Sequence, residues 1–170
     1  LGGCDIACHW CDEKKSWDEN IHPKTSLEEI VNLVRNSPSK VVIITGGEPL
    51  MHNLEQLTTE LKKYKKVHLE TSGAYRLSGH WDWITLSPKK NKLPLPKIYK
   101  EANELKCIVY NNSDFDFAID QSKKVSKNCL LYLQPEWGKK HIMLDKIINF
   151  IKVKPRFKLS LQTHKYLGLQ

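Results

Sequence analysis

Three cysteines lie within eight positions near the start of this chain, in the stretch CDIACHWCDEK (residues 4–14). Cys4, Cys8 and Cys11 follow the spacing C-x3-C-x2-C, short enough for one loop to turn all three thiolates toward one metal centre. A closed structural zinc site usually takes four ligands, and His9 is available as the fourth. His9 adjoins Cys8, however, and a loop that points two neighbouring side chains at one ion is strained. The other chemistry is a 4Fe-4S cluster with three irons held by thiolates and the fourth left open. Spacing alone leaves both chemistries standing.

A second constellation is Gly46-Gly47-Glu48-Pro49, directly after the apolar run VVIIT. By itself such a turn is ordinary, and its glycines more often serve chain reversal than a ligand. Placed at a strand end one βα unit beyond the cysteines, it offers the Glu48 carboxylate to a ligand ammonium by charge-assisted hydrogen bonds.

The elements that must position these groups follow from periodicity. Thr25 or Ser26 caps a helix whose Leu27, Ile30, Val31 and Val34 share a face, with Glu28 and Glu29 in its first turn. VVIITGG reads as a buried parallel strand. Asn53 opens a helix through Leu54, Leu57 and Leu61, and KVHLETSG, WDWITLSPK, ELKCIVYN, NCLLYLQPE and FKLSLQTHK read as further strands. Helices are expected at 114–124 and 142–152, with a short helical turn between 91 and 103. The alternation predicts one α/β domain over residues 1–170, a partial (β/α) barrel of mostly parallel strands. In such sheets ligands lie beyond the carboxyl ends of the strands, where TGGEP, ETSG, SPKK, LQPEW and QTHK fall here.

Composition excludes several other classes. Five cysteines are an odd number, and only Cys107 and Cys129 lie outside the loop, in apolar LKCIVY and NCLLYL. They read as small core residues in a reducing, cytoplasmic setting, not as parts of a disulfide framework. No apolar run is long enough to span a membrane. The formal charge of +8 is dispersed over short groups such as LKKYKK (61–66), the pattern of a solvated surface and not of a nucleic-acid patch. The chain starts at Leu1 with its first residues already in the cysteine motif, so a natural segment ahead of it is expected.

C-x3-C-x2-C with an aromatic residue before the last cysteine resembles the signature of the radical S-adenosylmethionine (SAM) enzymes, and Gly46-Gly47-Glu48 is similar to their Gly-Gly-Glu segment. The remaining strand ends narrow the resemblance. ETSG (70–73), SPK (87–89), ELK (104–106), LQP (133–135) and LQTHKYLG (161–168) resemble, in order, segments of the 7-carboxy-7-deazaguanine synthase family of the queuosine pathway. The likeness spans essentially residues 1–170.

That resemblance implies a lyase that converts 6-carboxy-5,6,7,8-tetrahydropterin to 7-carboxy-7-deazaguanine with loss of ammonia, using a 4Fe-4S cluster, SAM and Mg2+. By position it places Cys4, Cys8 and Cys11 on the cluster. Trp10, Asp12, Gly47, Glu48, Gly73, Ser87, Pro88, Lys89, Gln134, Pro135, Glu136 and Trp137 would surround SAM. Thr71, His164 and Gln170 would meet the substrate. The anionic carboxylates of substrate and cofactor would in turn give Lys89, and Lys106 or Lys165, an electrostatic purpose. It also implies a homodimer served by an electron donor such as flavodoxin or ferredoxin, with no nucleic-acid or membrane partner. One departure is Glu13, where the family carries the threonine or serine that helps hold Mg2+. A carboxylate suits that hard ion but is longer and adds charge. The family's Gln-Gly-Glu loop and an arginine ahead of the first cysteine are not found in these residues.

Two other readings compete. A glycyl-radical activating enzyme would share the cysteine loop and the Gly-Gly-Glu turn, but SPK and LQTHK argue against it. A zinc-stabilised RNA-binding module would use the charge and the tryptophans at 10, 17, 81, 83 and 137, most of which sit beside strand ends or core segments where packing explains them.

Overall fold

The computed structural model describes residues 1–169. Ser26 starts the first helix, α1 (Leu27–Asn36). Its hydroxyl accepts from the Glu29 N–H while the Glu29 carboxylate accepts from the Ser26 N–H, satisfying two donors that the helix leaves open. The chain then alternates as expected through β1 (Val41–Ile44), α2 (Glu55–Leu61), β2 (Lys66–Thr71), β3 (Trp83–Leu86) and α3 (Pro96–Glu101). It continues through β4 (Glu104–Val109), α4 (Ser113–Ser122), β5 (Leu130–Pro135), α5 (Lys140–Val153), β6 (Phe157–Leu159) and α6 (Thr163–Tyr166).

The six strands form one sheet in sequence order, every pairing is parallel, and the sheet does not close. This is the expected partial barrel. Strand alternation divides its two faces. Val67, Leu69, Leu105, Val109, Leu131 and Leu133 point to the helical side, where they are fully buried with Ile98 and Ile147. Each such side chain contributes roughly 1.5–3 kcal/mol of burial. Glu70, Lys106, Ile108 and Gln134 alternate with them on the opposite, concave face and line a cavity there.

Two expectations are corrected. VVIITGG is not a strand buried on both faces: Ile43 is 55% exposed, because β1 is the edge strand and one of its faces carries no helix. FKLSLQTHK is strand only over Phe157–Leu159, and its second half turns into the short helix α6. Short 3-10 turns, unmarked in the hydrophobic pattern, follow the cysteines at Lys14–Trp17 and Glu19–Ile21 and recur at Pro49–Met51 and Trp137–Lys139. No helix among the described residues is long and apolar enough to cross a membrane.

Candidate active site

The carboxyl ends of the strands and the cysteine loop enclose a cavity of about 480 Å³. Cys4, Cys8 and Cys11 share its wall with Trp10, Asp12 and Glu13 from the loop, Gly47, Glu48 and Thr71 from β1 and β2, and Ser87 and Lys89 after β3. Gln134, Glu136 and Trp137 follow from β5, and His164 from α6. Residues up to 160 positions apart in sequence therefore meet because a parallel sheet brings all its strand ends to one side.

Gly73, Pro88 and Pro135 do not line this cavity. Gly73 adopts φ +76°, and a Cβ there would stand 2.5 Å from Leu86 Cδ1, so it shapes the turn after β2. Pro88 lies behind Lys89 in a neighbouring cleft, and Pro135 points to the buried face opposite Gln134. Gln170 lies outside the described residues. Conversely, Trp17, Glu70, Ser72 and Gln162 line the wall without having been assigned a role from the sequence. Glu70 was detectable, since it alternates with buried Leu69 and Thr71. Trp17 reaches the site only through the turn after the cysteines, where its indole N–H donates to Cys11 Sγ at 3.4 Å.

Glu48 differs from the expectation of a carboxylate turned to a ligand. It is 1% exposed, and both oxygens already accept two hydrogen bonds each. Oε1 takes the Leu50 N–H at 3.0 Å and the Thr71 hydroxyl at 2.5 Å, while Oε2 takes the Ser72 N–H at 2.8 Å and the Ser72 hydroxyl at 2.5 Å. Thr71 Oγ1 in turn accepts from the Gly73 N–H. The carboxylate therefore joins the ends of β1 and β2. The glycines before it serve close approach: a Cβ on Gly47 would lie 2.2 Å from Gly3 O, and the Gly47 and Glu48 N–H groups donate to Leu1 O and Gly3 O at 2.8 Å each. In this way the Gly-Gly-Glu turn seats the backbone that leads into Cys4.

All five cysteines are free thiols. Burial raises the Cys4 and Cys8 thiols above the ordinary range, with the Lys89 ammonium pulling Cys8 back down. Burial also lowers the half-buried Lys89 ammonium, whose Nζ donates to Ser87 O and Oγ at 2.6 and 2.8 Å. Among the described residues no three His, Cys, Asp or Glu side chains converge tightly enough to hold a single metal ion. Three soft sulfur donors on one cavity wall suit an iron-sulfur cluster. His9 is exposed and sits edge-on to Tyr110, 4.9 Å between ring centroids, away from this cavity. Cys107 and Cys129 are buried in the core, their thiols pushed up to about 12 and about 11 by desolvation.

The far end of the chain closes the cavity. Asp12 Oδ2 accepts from Gln162 Nε2 at 2.6 Å and Oδ1 from Lys165 Nζ at 2.5 Å. Trp137 lies against Tyr166 at 5.1 Å with Lys140 Nζ 3.8 Å from its ring centroid.

Residues 1–89, which carry both the cysteine loop and the Gly-Gly-Glu turn, match the family model described as the radical SAM superfamily. Over 170 residues the chain is 49% identical to the 7-carboxy-7-deazaguanine synthase of Flavobacterium psychrophilum, a match covering 99% of this chain and 80% of that one. This chain belongs to the 7-carboxy-7-deazaguanine synthase family of the radical SAM superfamily. A second family member, the synthase of Synechocystis sp., is also 49% identical, over 100% of this chain and 82% of its own length. The fold agrees: the crystal structure of QueE from Escherichia coli superposes with a TM-score of 0.81 at 27% identity, covering 95% of this chain and 82% of that one. Radical SAM enzymes work with a 4Fe-4S cluster and SAM, and the thiol wall described above fits the cluster.

Proposed function

We propose that this chain is a 7-carboxy-7-deazaguanine synthase, taking 6-carboxy-5,6,7,8-tetrahydropterin to 7-carboxy-7-deazaguanine with loss of ammonia. The observation that carries the reading is the match at 49% identity along the whole chain to a synthase of that name. Residues 1–170 act as one domain. When bound at Cys4, Cys8 and Cys11, the cluster and SAM supply the 5′-deoxyadenosyl radical chemistry of the superfamily.

The protein's own groups bind, orient and enclose. Trp10, Lys89, Gln134, Glu136 and Trp137 form the walls that meet SAM, with Ser87 holding Lys89 in place. Glu48 and Thr71 contribute through each other, fixing the floor on which the reacting groups sit. On the concave face Lys106 Nζ lies 3.1 Å from Glu70 Oε1. That pair suits a pterin bearing a carboxylate: the substrate carboxylate takes over Lys106, and Glu70 accepts from the pterin's amino and ring N–H groups. His164 stands on the same wall. Glu13 is exposed at the cavity rim, where its carboxylate serves as an oxygen ligand for Mg2+. The working form is a cytoplasmic homodimer reduced by flavodoxin or ferredoxin.

The test is anaerobic incubation of reconstituted enzyme with reductant, SAM and the carboxytetrahydropterin. Carboxydeazaguanine and ammonia should form together. An intact cluster that yields neither rejects the substrate assignment.

A further inference from the structure

The stretch between Cys4 and Cys8 follows a path a peptide does not choose unaided. Ala7 has φ +52°, and among the described residues it is the one non-glycine with a positive φ. Such a conformation persists where its surroundings over-determine it.

Those surroundings are specific. Lys92 Nζ reaches Asp5 Oδ2 at 2.7 Å and Tyr75 Oη at 2.7 Å, and lies 4.1 Å from the centroid of the Tyr75 ring. The Tyr75 hydroxyl donates to the same Asp5 oxygen, and Asn91 Nδ2 donates to Ile6 O. Ile6 is itself buried, so both residues before Ala7 are anchored from outside the loop. The anchors come from two directions: Tyr75 from the turn after β2, and Asn91 and Lys92 from the turn after β3. The latter turn is folded back by a bridge between Lys89 and Lys92. One short segment therefore presents Lys89 to the cavity and holds the cysteine loop three residues later.

We propose that Tyr75, Asn91 and Lys92 are positioning residues for the iron-sulfur site, clamping Asp5 and Ile6 so that Cys4 and Cys8 are held in ligand-presenting geometry before the cluster is built. The clamp is half exposed, with Asp5 and Lys92 side chains 50% and 38% accessible, and exposed ion pairs add little to global stability. Its effect belongs to the loop and not to the fold. The inference rests on the cluster being held at Cys4, Cys8 and Cys11 and is independent of the pterin substrate.

The experiment uses anaerobically reconstituted enzyme without substrate and compares Lys92→Met, Tyr75→Phe, Asn91→Ala and Lys92→Arg with the parent. Three quantities are read: the rate of iron release to a ferrous chelator, the electron paramagnetic resonance spectrum of the reduced cluster with SAM, and the melting temperature of cluster-free protein. Lys92→Met should release iron at least about fivefold faster and broaden the spectrum, with unchanged melting of the cluster-free form. Lys92→Arg, which keeps the charge, should restore the parent rate. Adding Tyr75→Phe to Lys92→Met should cost less than the sum of the single changes, because both bond one Asp5 oxygen. Parent-like release rates and spectra in Lys92→Met, Tyr75→Phe and Asn91→Ala overturn the proposal. So does faster release that merely tracks a falling melting temperature. In a separate assay with the pterin added, failure of the parent enzyme to form product while its cluster is intact would count against the pterin reading alone.

Discussion

Asp12 and Lys165, 153 positions apart, form an ion pair of 2.5 Å between the cysteine loop and the last helix. Gln162 adds a second bond to the same carboxylate, so the segment after β6 is fastened to the residue following Cys11. Lys165→Met should leave global stability within about 1 kcal/mol, because a pair whose Asp12 carboxylate is half open to solvent contributes little. It should raise KM for SAM or the pterin by roughly tenfold while kcat falls less, since α6 no longer closes the cavity. Steady-state kinetics beside a urea titration separates the two effects, and an unchanged KM would rule out the closing role.

Glu48 predicts the opposite balance. Glu48→Ala strips four donors of their acceptor in a site 1% exposed, leaving the Thr71 and Ser72 hydroxyls and two backbone N–H groups unpartnered. The cost should be about 3–5 kcal/mol of unfolding free energy, visible in cluster-free protein as a lower urea midpoint. A residue that only gripped a ligand would leave that midpoint in place.

Gly47→Ala should damage the cluster site through backbone contact alone. The new methyl would fall 2.2 Å from Gly3 O and 2.8 Å from Ser16 O, neither of which can rotate away. Residues 1–3 must shift, carrying Cys4 with them. Iron bound after reconstitution should drop to less than about half of the parent value while secondary structure by circular dichroism stays the same.

The cysteines should divide by accessibility. In cluster-free native protein, brief alkylation near pH 8 should modify Cys4, Cys8 and Cys11 and spare Cys107 and Cys129, whose thiols are buried and raised to about 12 and about 11. Peptide mass spectrometry reads the pattern, and early labelling of Cys107 would contradict it. The same raised values set a pH dependence. An unfolded chain ionises these thiols near 9 while the folded one keeps them protonated, so their contribution to stability is complete below pH 9 and is lost as pH rises to about 12. Cys107→Ala should flatten part of that decline.

Much of this protein was legible without coordinates. Local periodicity established the alternation of strands and helices, the Ser26 cap and a mostly parallel sheet, because apolar spacing and capping chemistry act over a few residues. The spacing of Cys4, Cys8 and Cys11 narrowed the metal chemistry to two forms, and the ordered strand ends indicated the family. Tertiary structure decided the rest. That Glu48 is spent on Thr71 and Ser72, that Pro135 turns its back on the site while Gln134 enters it, and that Asp12 is held by Lys165 all depend on which strand ends meet. The clamp of Lys92 on Asp5 belongs to the same class. A linear pattern records which side chains are available, but hydrogen bonds between residues 23 to 153 positions apart exist only once the sheet has brought their backbones to within a few ångströms.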